Sequence, residues 1–502
     1  MAHAPPPSAS SPQLASGTIE APPTTVLGIL SRLGPGLIIA ASIVGSGELI
    51  GTTKTGADAG YSLLWLVLIG CVIKVFVQVE LGRFTISEGR TTMEAMNLIG
   101  PRFGVSWMIW YWLLMFLVGL GQLGGIVGGV GQALAITFPT ADGFAAHLNA
   151  STPLPRFASF ADLNWANILA VLHTDDVLWS IGVTAMTSVL LVVGRYRLVQ
   201  NVSTVLVAGF TVVTIFNLVA LPWFSEVRFS WADIREGMML HLPEARPGKL
   251  PLATALATFG IIGVGANELI AYPYWCIEKG YAQFTGPRDD TPGWGQRARG
   301  WLRVMRWDAW CSMIIYTLAT VTFYLLGAVV LHPRGLSPAD DRLIETLAIM
   351  YRDVFGTWGN YVFLFGAFAV LYSTFFVAIA GHARVVADAV RVYGLGAHNE
   401  RTRTWWVTVF SGLFPFLSLA CYILYRDPVG MVLLSGFMQA LMLPMLGGAS
   451  LYFRYRRSDP RVRPGLAWDA MLWISFAGLL VAGLWAAGVE IAHLWELASG
   501  KA

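Results

Sequence analysis

Two six-residue stretches of the same pattern decide the predicted fold: residues 45–50 read GSGELI and residues 265–270 read GANELI. Each stretch lies in the middle of a long hydrophobic segment. A glycine weakens a helix by roughly 1 kcal/mol relative to alanine, and both stretches place glycine beside a carboxylate. Irregular backbone is tolerated inside a membrane only where it is buried in protein or lines a cavity. We therefore predict that both segments are broken helices that meet at a functional site.

The remainder of the chain has the composition of a membrane protein with many spans. Of its 502 residues, 55% are hydrophobic and 13% are charged, whereas a soluble domain carries about twice that charged fraction. A membrane-spanning helix needs about 20 apolar residues. The sequence therefore predicts an all-α integral membrane protein with about 11 transmembrane helices, at residues 35–57, 62–81, 104–137, 176–194, 201–222, 251–276, 308–331, 358–381, 404–424, 429–453 and 467–491.

The two motifs lie in the first and the sixth of these segments. Five spans separate their starts, and because this number is odd the two motifs cross the membrane in opposite directions. This is the pattern of two five-helix repeats of inverted topology. The predicted organisation is a disordered cytosolic tail, a first repeat, an extracytoplasmic connection, a second repeat, and an additional transmembrane helix with the C-terminus, at residues 1–33, 34–222, 223–250, 251–453 and 454–502 respectively.

The distribution of lysine and arginine predicts the orientation. With a cytoplasmic N-terminus, the inner loops contain 20 of these residues and the outer loops contain 9. This excess follows the positive-inside rule, so we expect the N-terminus to be cytoplasmic and, after eleven spans, the C-terminus to be extracytoplasmic. The first 26 residues have no apolar core, so we do not expect them to be a signal peptide. We expect a multi-pass protein of the inner or plasma membrane.

Several classes of function are disfavoured by the same sequence. The net charge of +3 is too small for a nucleic-acid-binding surface. The sequence has no Walker loop, no nucleophile–base pair and no large soluble domain, so we expect a transporter and not an enzyme. We expect no cofactor. The expected partners are the transported solute and the lipid bilayer, and the sequence leaves the oligomeric state open.

Glutamates inside a membrane are costly and therefore indicate function. We predict that Glu48 and Glu268 form an oxygen-rich site of charge −2, with help from backbone carbonyls and from nearby polar side chains. The alternative is a glycine-rich packing contact with protonated glutamates. The predicted substrate-binding residues in the two motifs are Gly45, Ser46, Gly47, Glu48, Gly265, Ala266, Asn267 and Glu268, and the predicted metal ligands among them are Glu48, Asn267 and Glu268.

Two lysines lie within predicted spans, where lysines are rare. Lys54 lies near a span end and is expected to extend to the interface, whereas Lys74 lies too deep to do so. We expect Lys74 to pair with a carboxylate, and the candidates are Glu48, Glu80 and Glu268. Our hypothesis is that Lys74 is an internal counter-cation for the site. The alternative is a purely structural ion pair.

Several short motifs resemble those of the Nramp (natural-resistance-associated macrophage protein) family, over residues 34 to about 452. The first span begins Gly34-Pro35-Gly36, and residues 60–65 (GYSLLW) follow it as they do in the family. The eighth span contains Ser373-Thr374, and the tenth contains Leu443-Pro444. The resemblance implies the fold of the amino acid–polyamine–organocation superfamily. It also implies a divalent-metal carrier, usually coupled to protons.

The binding motifs differ from those of the family. The family's Asp-Pro-Gly-Asn aligns with residues 45–48, and its Met-Pro-His aligns with residues 265–267. The family's glutamine in the tenth helix aligns with Gly436, although Gln439 lies one turn away. We therefore include Gly436 and Gln439 in the predicted site. A thioether ligand favours soft transition metals, whereas an oxygen-only site suits magnesium, calcium or manganese.

Proton coupling is expected to be weak or absent. The family's histidine in the sixth span is replaced by Asn267, and residues 104–137 contain no Asp or Glu. We interpret His382 as a helix-end residue and not as a proton relay. The leading hypothesis is a secondary transporter for divalent cations with a preference for hard oxygen ligands. The alternative is a secondary transporter for a small organic solute, such as an amino acid or an amine, in the same fold.

Overall fold

The computed structural model describes residues 19–140, 157, 164–194, 196–225, 231–243, 251–339, 342–396 and 399–498. Within these ranges, the regular structure is helical apart from one short antiparallel pair of strands, Arg102–Phe103 with Val105–Ser106. The α-helices are Val26–Leu30, Pro35–Ile43, Thr53–Ala59, Leu64–Glu88, Thr92–Met96, Trp107–Thr137, Trp165–Leu172, Asp175–Val192, Tyr196–Phe224, Trp231–Gly237, Pro251–Ile261, Ala266–Glu278, Tyr281–Thr285, Pro292–Leu326, Leu343–Phe355, Gly359–Val392, Glu400–Tyr425, Pro428–Arg456 and Leu466–Ala498.

Eleven helical segments of the described chain are long and apolar enough to cross a membrane, which confirms the predicted fold class. We number them as spans in chain order: Pro35–Ala59, Leu64–Glu88, Trp107–Thr137, Asp175–Val192, Thr204–Phe224, Pro251–Glu278, Pro292–Leu331, Leu343–Val392, Glu400–Tyr425, Pro428–Arg456 and Leu466–Ala492. The eighth segment consists of a peripheral helix, Leu343–Phe355, and a long helix, Gly359–Val392, which a 3-10 turn connects.

The first span is broken at its first motif, as predicted. Its first helix, Pro35–Ile43, begins with proline at the first helical position, where the missing N–H needs no partner. The helix ends before Val44 and Gly45, and a π-helical segment, Ser46–Thr52, resumes the span. A Cβ at position 45 would overlap the hydroxyl oxygen of Thr374. Glycine is therefore required where the eighth span approaches this break.

The sixth span is broken at the second motif. Its halves are Pro251–Ile261 and Ala266–Glu278, and Gly263 between them has φ +57°. This is the left-handed region, which glycine adopts without the penalty that a side chain brings. Each of the two spans thus contains the break that the glycine–glutamate pattern predicted.

The loops that were predicted to share one side of the membrane contact one another. Arg288, after the sixth span, forms ion pairs with Glu88 at the end of the second span (2.7 Å) and with Asp459 after the tenth (3.0 Å). Hydrogen bonds from Arg461 and the charge of Arg288 lower the pKa of Asp459 to about 2. These ion pairs hold three loops together on one face of the bundle.

The predicted tail includes residues that pack on the bundle. Residues 1–18 lie outside the described ranges, but residues 19–33, which were assigned to the disordered tail, contain the helix Val26–Leu30 with Ile29 buried. The indole of Trp301 donates a hydrogen bond to the carbonyl of Glu20 (3.1 Å), and Arg32 pairs with the Glu20 carboxylate (3.0 Å). The part of the prediction that covers residues 19–33 is therefore corrected, because these residues find a partner at the start of the seventh span.

The third span lies at the centre of the bundle and contacts the fourth, eighth, ninth and tenth spans. Its glycines allow these neighbours to approach closely. A Cβ on Gly131 would overlap the carbonyl oxygen of Asp176 and the hydroxyl of Ser180 in the fourth span. A Cβ on Gly121, in contrast, would meet no heavy atom within 4 Å.

We predict that Gly131→Ala lowers the melting temperature of the purified protein, because overpacking at a tight contact costs about 1–3 kcal/mol. Gly121→Ala on the same helix is the matched control. It should leave the melting temperature unchanged or raise it, since alanine favours the helix by about 1 kcal/mol. Equal melting temperatures for the two variants would contradict the close contact between the third and fourth spans.

Candidate functional site

The two motif glutamates occupy equivalent positions in the two broken spans. Gly45 is the N-cap of the segment that begins at Ser46, and Gly265 is the N-cap of the helix that begins at Ala266. Glu48 and Glu268 are therefore each the third residue of the half-helix that follows its break. A carboxylate in the first turn is stabilised by the positive end of the helix dipole. The inverted repeat thus places two carboxylates at two helix N-termini in the interior.

Glu48 connects the break of its own span with the break of the sixth span. Its side chain is fully buried. Its Oε1 atom accepts hydrogen bonds from the hydroxyl of Thr320 (2.9 Å) in the seventh span and from the backbone N–H of Gly263 (3.3 Å). Its Oε2 atom is buried and has no hydrogen-bond partner among the described residues. One carboxylate oxygen is therefore bound to the scaffold, and the other is buried without a hydrogen bond within the described residues.

Glu268 has different surroundings. It lines a small pocket of about 10 Å³, whose other lining residues are Ile39, Ser42, Asn267, Ala271, Trp275, Val377, Ala378, Gly381 and His382. A Cβ at position 265 would overlap the Oε2 atom of Glu268. This carboxylate oxygen therefore occupies the space that a side chain at position 265 would need. The negative charge of Glu268 acts electrostatically on Glu48. The two glutamates therefore interact electrostatically, but their side chains have different surroundings.

A chain of amide and hydroxyl groups connects the two breaks on the side of the third and tenth spans. Gln439 accepts a hydrogen bond from the backbone N–H of Asn267 (3.2 Å) through Oε1 and donates to Oε1 of Gln122 (2.8 Å) through Nε2. Gln122 donates to the hydroxyl of Ser46 (2.9 Å) and accepts from the hydroxyl of Ser435 (3.1 Å). The network fixes the first turn of both half-helices relative to each other.

Lys74 does not pair with a carboxylate, contrary to our expectation. Its ammonium group donates to the backbone carbonyls of Phe259 and Ile262, the latter at 2.8 Å. Among the described residues, no carboxylate oxygen forms an ion pair with it. Glu80, one of the three proposed partners, pairs with Arg83 (3.1 Å). The carbonyls that end the first half of the sixth span take the place of the expected carboxylate.

Lys54 also differs from its prediction. Its ammonium pairs with Asp58 one turn later (3.4 Å) and donates to the hydroxyl of Ser337 (2.9 Å). Its side chain is 19% exposed, so it is held against the protein and does not extend freely to the interface. The partner at i+4 lies on the same helix face, which is the spacing that favours such a pair.

Gly47 and Gly436 serve close packing. A Cβ on Gly47 would lie 2.9 Å from the carbonyl oxygen of Ile261, and a Cβ on Gly436 would overlap the carbonyl of Ala257. The first half of the sixth span is therefore pressed against both the first and the tenth spans. Ala266 is fully buried at the start of its half-helix. His382, which we had assigned to a helix end, lies within the helix Gly359–Val392 and lines the pocket of Glu268.

Three polar contributors were missed in the sequence: Gln122, Thr320 and Ser435. Gln122 offered a signal, because it is an amide within an apolar, glycine-rich segment where a polar side chain needs partners. Ser435 also offered one, because it stands at family spacing in the tenth span, but it was not included in the predicted site. Thr320 offered none, since single hydroxyls within helices usually bond to their own backbone. Within the described part of the chain, no group of three or more His, Cys, Asp or Glu side chains is placed to hold a metal ion.

Comparison with known proteins agrees with this architecture. The sequence model of the Nramp family, described as natural resistance-associated macrophage protein-like, matches residues 36–153 and 165–487. The chain belongs to this family. The resemblance given by the first, eighth and tenth spans is thereby confirmed.

Three proteins that are similar over most of this chain have low sequence identity to it. An uncharacterized protein of Pasteurella multocida, PM0681, is 22% identical over 90% of this chain and 89% of that protein. Metal transporter NRAT1 of Oryza sativa is 22% identical over 69% of this chain, and the match covers about half (54%) of NRAT1. A crystal structure of the Eremococcus coleocola manganese transporter has a TM-score of 0.64 at 14% identity, covering 97% of this chain and 92% of that chain. At this identity the structural likeness shows the Nramp fold alone.

We predict that Gln122→Leu destabilises this Nramp protein and that Ser46→Ala does so less. The leucine leaves the buried polar groups of Ser46 and Gln439 without their shared partner, and each unsatisfied group costs about 1–3 kcal/mol. The alanine removes a single hydrogen bond. Thermal unfolding in detergent measures both effects, and Leu117→Met, at an exposed position of the same helix, is the control. A Gln122→Leu protein that unfolds at the temperature of the unmodified protein would exclude a structural role for the network.

Proposed function

We propose that this protein is a secondary transporter for divalent metal cations and that its substrate binds between the broken first and sixth spans. The observation that carries the proposal is the pair of glutamates, Glu48 and Glu268. Each lies on the first turn after a helix break, and the charge of Glu268 acts on Glu48. The metal-transporting relatives and the Nramp fold support the class of substrate. The positive-inside count supports a cytoplasmic N-terminus.

The chemistry of the available donors favours a hard cation. Glu48 offers a free carboxylate oxygen, and Glu268, Asn267 and Ser42 line the pocket with oxygen atoms. His382 contributes one imidazole to the same pocket. Carboxylate, carbonyl and hydroxyl oxygens suit magnesium, manganese and calcium, and magnesium in particular keeps several of its waters in such sites. We therefore propose Mg²⁺, Mn²⁺ or Ca²⁺ as the substrate.

The loss of the family's thioether and the gain of Glu268 are sterically linked. The family's methionine aligns with Gly265, and a Cβ at this position would lie 2.4 Å from Oε2 of Glu268 and 2.9 Å from Oε1 of Gln439. A methionine at position 265 and the present positions of Glu268 and Gln439 therefore exclude each other. In this chain, a carboxylate oxygen occupies the space where the methionine side chain would leave the backbone.

Weak or absent proton coupling is part of the proposal. Asn267 stands in the position of the family's histidine, and its amide does not titrate. The third span, Trp107–Thr137, supplies Gln122 to the network and contains no acid that could accept a proton. The remaining titratable side chains near the substrate are the two glutamates and the imidazole of His382 in the pocket. The proposal assigns the glutamates to the cation and no proton transfer to His382.

A transporter of a small organic solute is the second candidate. Two observations favour it: the described residues hold no cluster of three or more metal-ligating side chains, and the charge of Lys74 acts on both glutamates. With both glutamates ionised and Lys74 protonated, the formal charge of the group is −1. A charge of −1 attracts a divalent cation less strongly than a charge of −2 and is compatible with an amine.

We predict that millimolar Mn²⁺, Mg²⁺ or Ca²⁺ raises the melting temperature of the purified protein, because a ligand that binds only the folded state at one hundred times its Kd stabilises it by about 2.7 kcal/mol. Glu48→Gln and Glu268→Gln should each abolish the shift. Glu490→Gln, in the last span, is the matched control and should retain it. If none of the three metals shifts the unmodified protein, while an amino acid or amine does, the organic solute replaces the metal as substrate.

We further predict that an imposed Mn²⁺ gradient drives metal into proteoliposomes without a matching acidification of their interior. An entrapped pH-sensitive dye and a metal-sensitive dye report both fluxes in the same vesicles. Addition of a protonophore should leave the initial rate of metal entry unchanged. Acidification in fixed proportion to metal entry would disprove weak coupling while leaving metal transport intact.

A further inference from the structure

Lys74 is one of the largest fully buried side chains of the protein, with none of its surface exposed. It lies in the second span, and its ammonium group donates hydrogen bonds to two backbone carbonyls of the sixth span, those of Phe259 and Ile262. The ammonium nitrogen also lies 4.7 Å from the centre of the Phe259 ring. Two carbonyl oxygens and an aromatic face thus surround a single positive charge.

These carbonyls belong to a helix end. The first half of the sixth span ends at Ile261, so the last carbonyls of this helix have no partner in a following turn. A helix C-terminus carries the equivalent of about half a negative charge, which a cation stabilises. Inside a membrane no bulk water is present to serve these groups. The break at Gly263 therefore creates a position for a cation, and Lys74 fills it.

The wider surroundings are also those of a cation site. Glu48 binds the N–H of Gly263, one residue after the second carbonyl, and the charges of Glu48 and Glu268 both act on Lys74. Gly263 lies against Tyr316, whose hydroxyl is buried without a hydrogen-bond partner among the described residues, as is Oε2 of Glu48. Carbonyl, carboxylate and phenol oxygens are thus gathered around this break.

We propose that the ammonium of Lys74 is the resident cation of a second cation site, which adjoins the substrate site through Glu48 and is tethered to the second span. Its charge holds the break of the sixth span in shape, so the protein needs no free monovalent cation for this purpose. The proposal deepens the proposed function, because it predicts that transport is independent of Na⁺ and K⁺, but the site itself stands on the helix end whatever the substrate is.

The contrast with Lys54 separates this role from that of an ordinary buried lysine. Lys54 pairs with a carboxylate, Asp58, at the end of the first span. Lys74 instead binds main-chain carbonyls, and the two nearby glutamates act on it without forming an ion pair within the described residues. A lysine in a structural ion pair requires a carboxylate partner. A cation at a helix end requires only its own positive charge and the helix carbonyls.

The first test is chemical rescue of Lys74→Ala in the absence of divalent metal. We expect the variant to unfold at a temperature lower by about 5 °C or more than the unmodified protein, since removing the ammonium leaves two buried carbonyls without a donor. Methylammonium or Na⁺ should restore at least half of this loss, because the vacated carbonyls and Glu48 can bind a small cation. The unmodified protein and Lys54→Ala should not respond to either cation. A Lys74→Ala protein that is destabilised but responds to no monovalent cation would overturn the proposal.

A second pair of variants distinguishes charge from hydrogen bonding and also serves if Lys74→Ala does not fold. Lys74→Gln keeps donors for the two carbonyls but is neutral, whereas Lys74→Arg keeps the charge. We expect Lys74→Arg to unfold at the higher temperature of the two, and equal or reversed temperatures would overturn the proposal. Because these measurements use no divalent metal, they are independent of the substrate. Failure of metal to stabilise the unmodified protein would contradict the proposed function and leave the Lys74 site standing.

Discussion

Main-chain groups that are freed within a bilayer find no water, and each one left unpaired costs several kcal/mol. This constraint governs the centre of the protein, where two spans are interrupted. At the sixth-span break, Lys74 donates hydrogen bonds to the carbonyls of Phe259 and Ile262. Glu48 accepts one from the N–H of Gly263, and Gln439 accepts one from the N–H of Asn267. These partners come from the second, first and tenth spans. The break therefore exists only while these spans are assembled around it, and the same bonds that satisfy the backbone also hold the bundle at its centre.

The same constraint makes the two halves of the inverted repeat unequal. The motifs are equivalent in sequence, and each glutamate follows its glycine cap by three positions. Yet one oxygen of Glu48 accepts hydrogen bonds from Thr320 and Gly263, whereas Glu268 lines a small pocket together with His382. One carboxylate is thus partly a structural element of the opposite repeat, and the other lines the pocket. The two repeats have similar motifs but different contacts. The reason is that the main-chain groups freed at the break of one repeat take side chains of the other as hydrogen-bond partners.

Local patterns in the sequence predicted what depends on local chemistry. The glycine–glutamate motifs predicted both breaks, hydropathy predicted the eleven spans, and short motifs predicted the Nramp family. The partners of buried charges could not be predicted in this way. Lys74 binds carbonyls that lie 185 and 188 residues further along the chain, and carbonyls are present at every residue, so no residue type marks them. Gln122 and Gln439 are separated by 317 residues and meet only in the folded bundle. Of the predicted site residues, Gly47 and Gly436 lie at close contacts between spans, and their part in substrate binding stays a prediction.

Steric exclusion connects the altered motifs with one another. The backbone at Gly265 has no room for a side chain while Glu268 folds back beside it, and the backbone at Gly436 has none because the carbonyl of Ala257 lies against it. The two family positions that would carry a thioether and an amide are thus closed together, and Gln439 supplies an amide from the next turn. A single restored family residue would meet the carboxylate or the carbonyl that now fills its place. The helix break, its tethered ammonium and the two glutamates therefore belong to one packing arrangement.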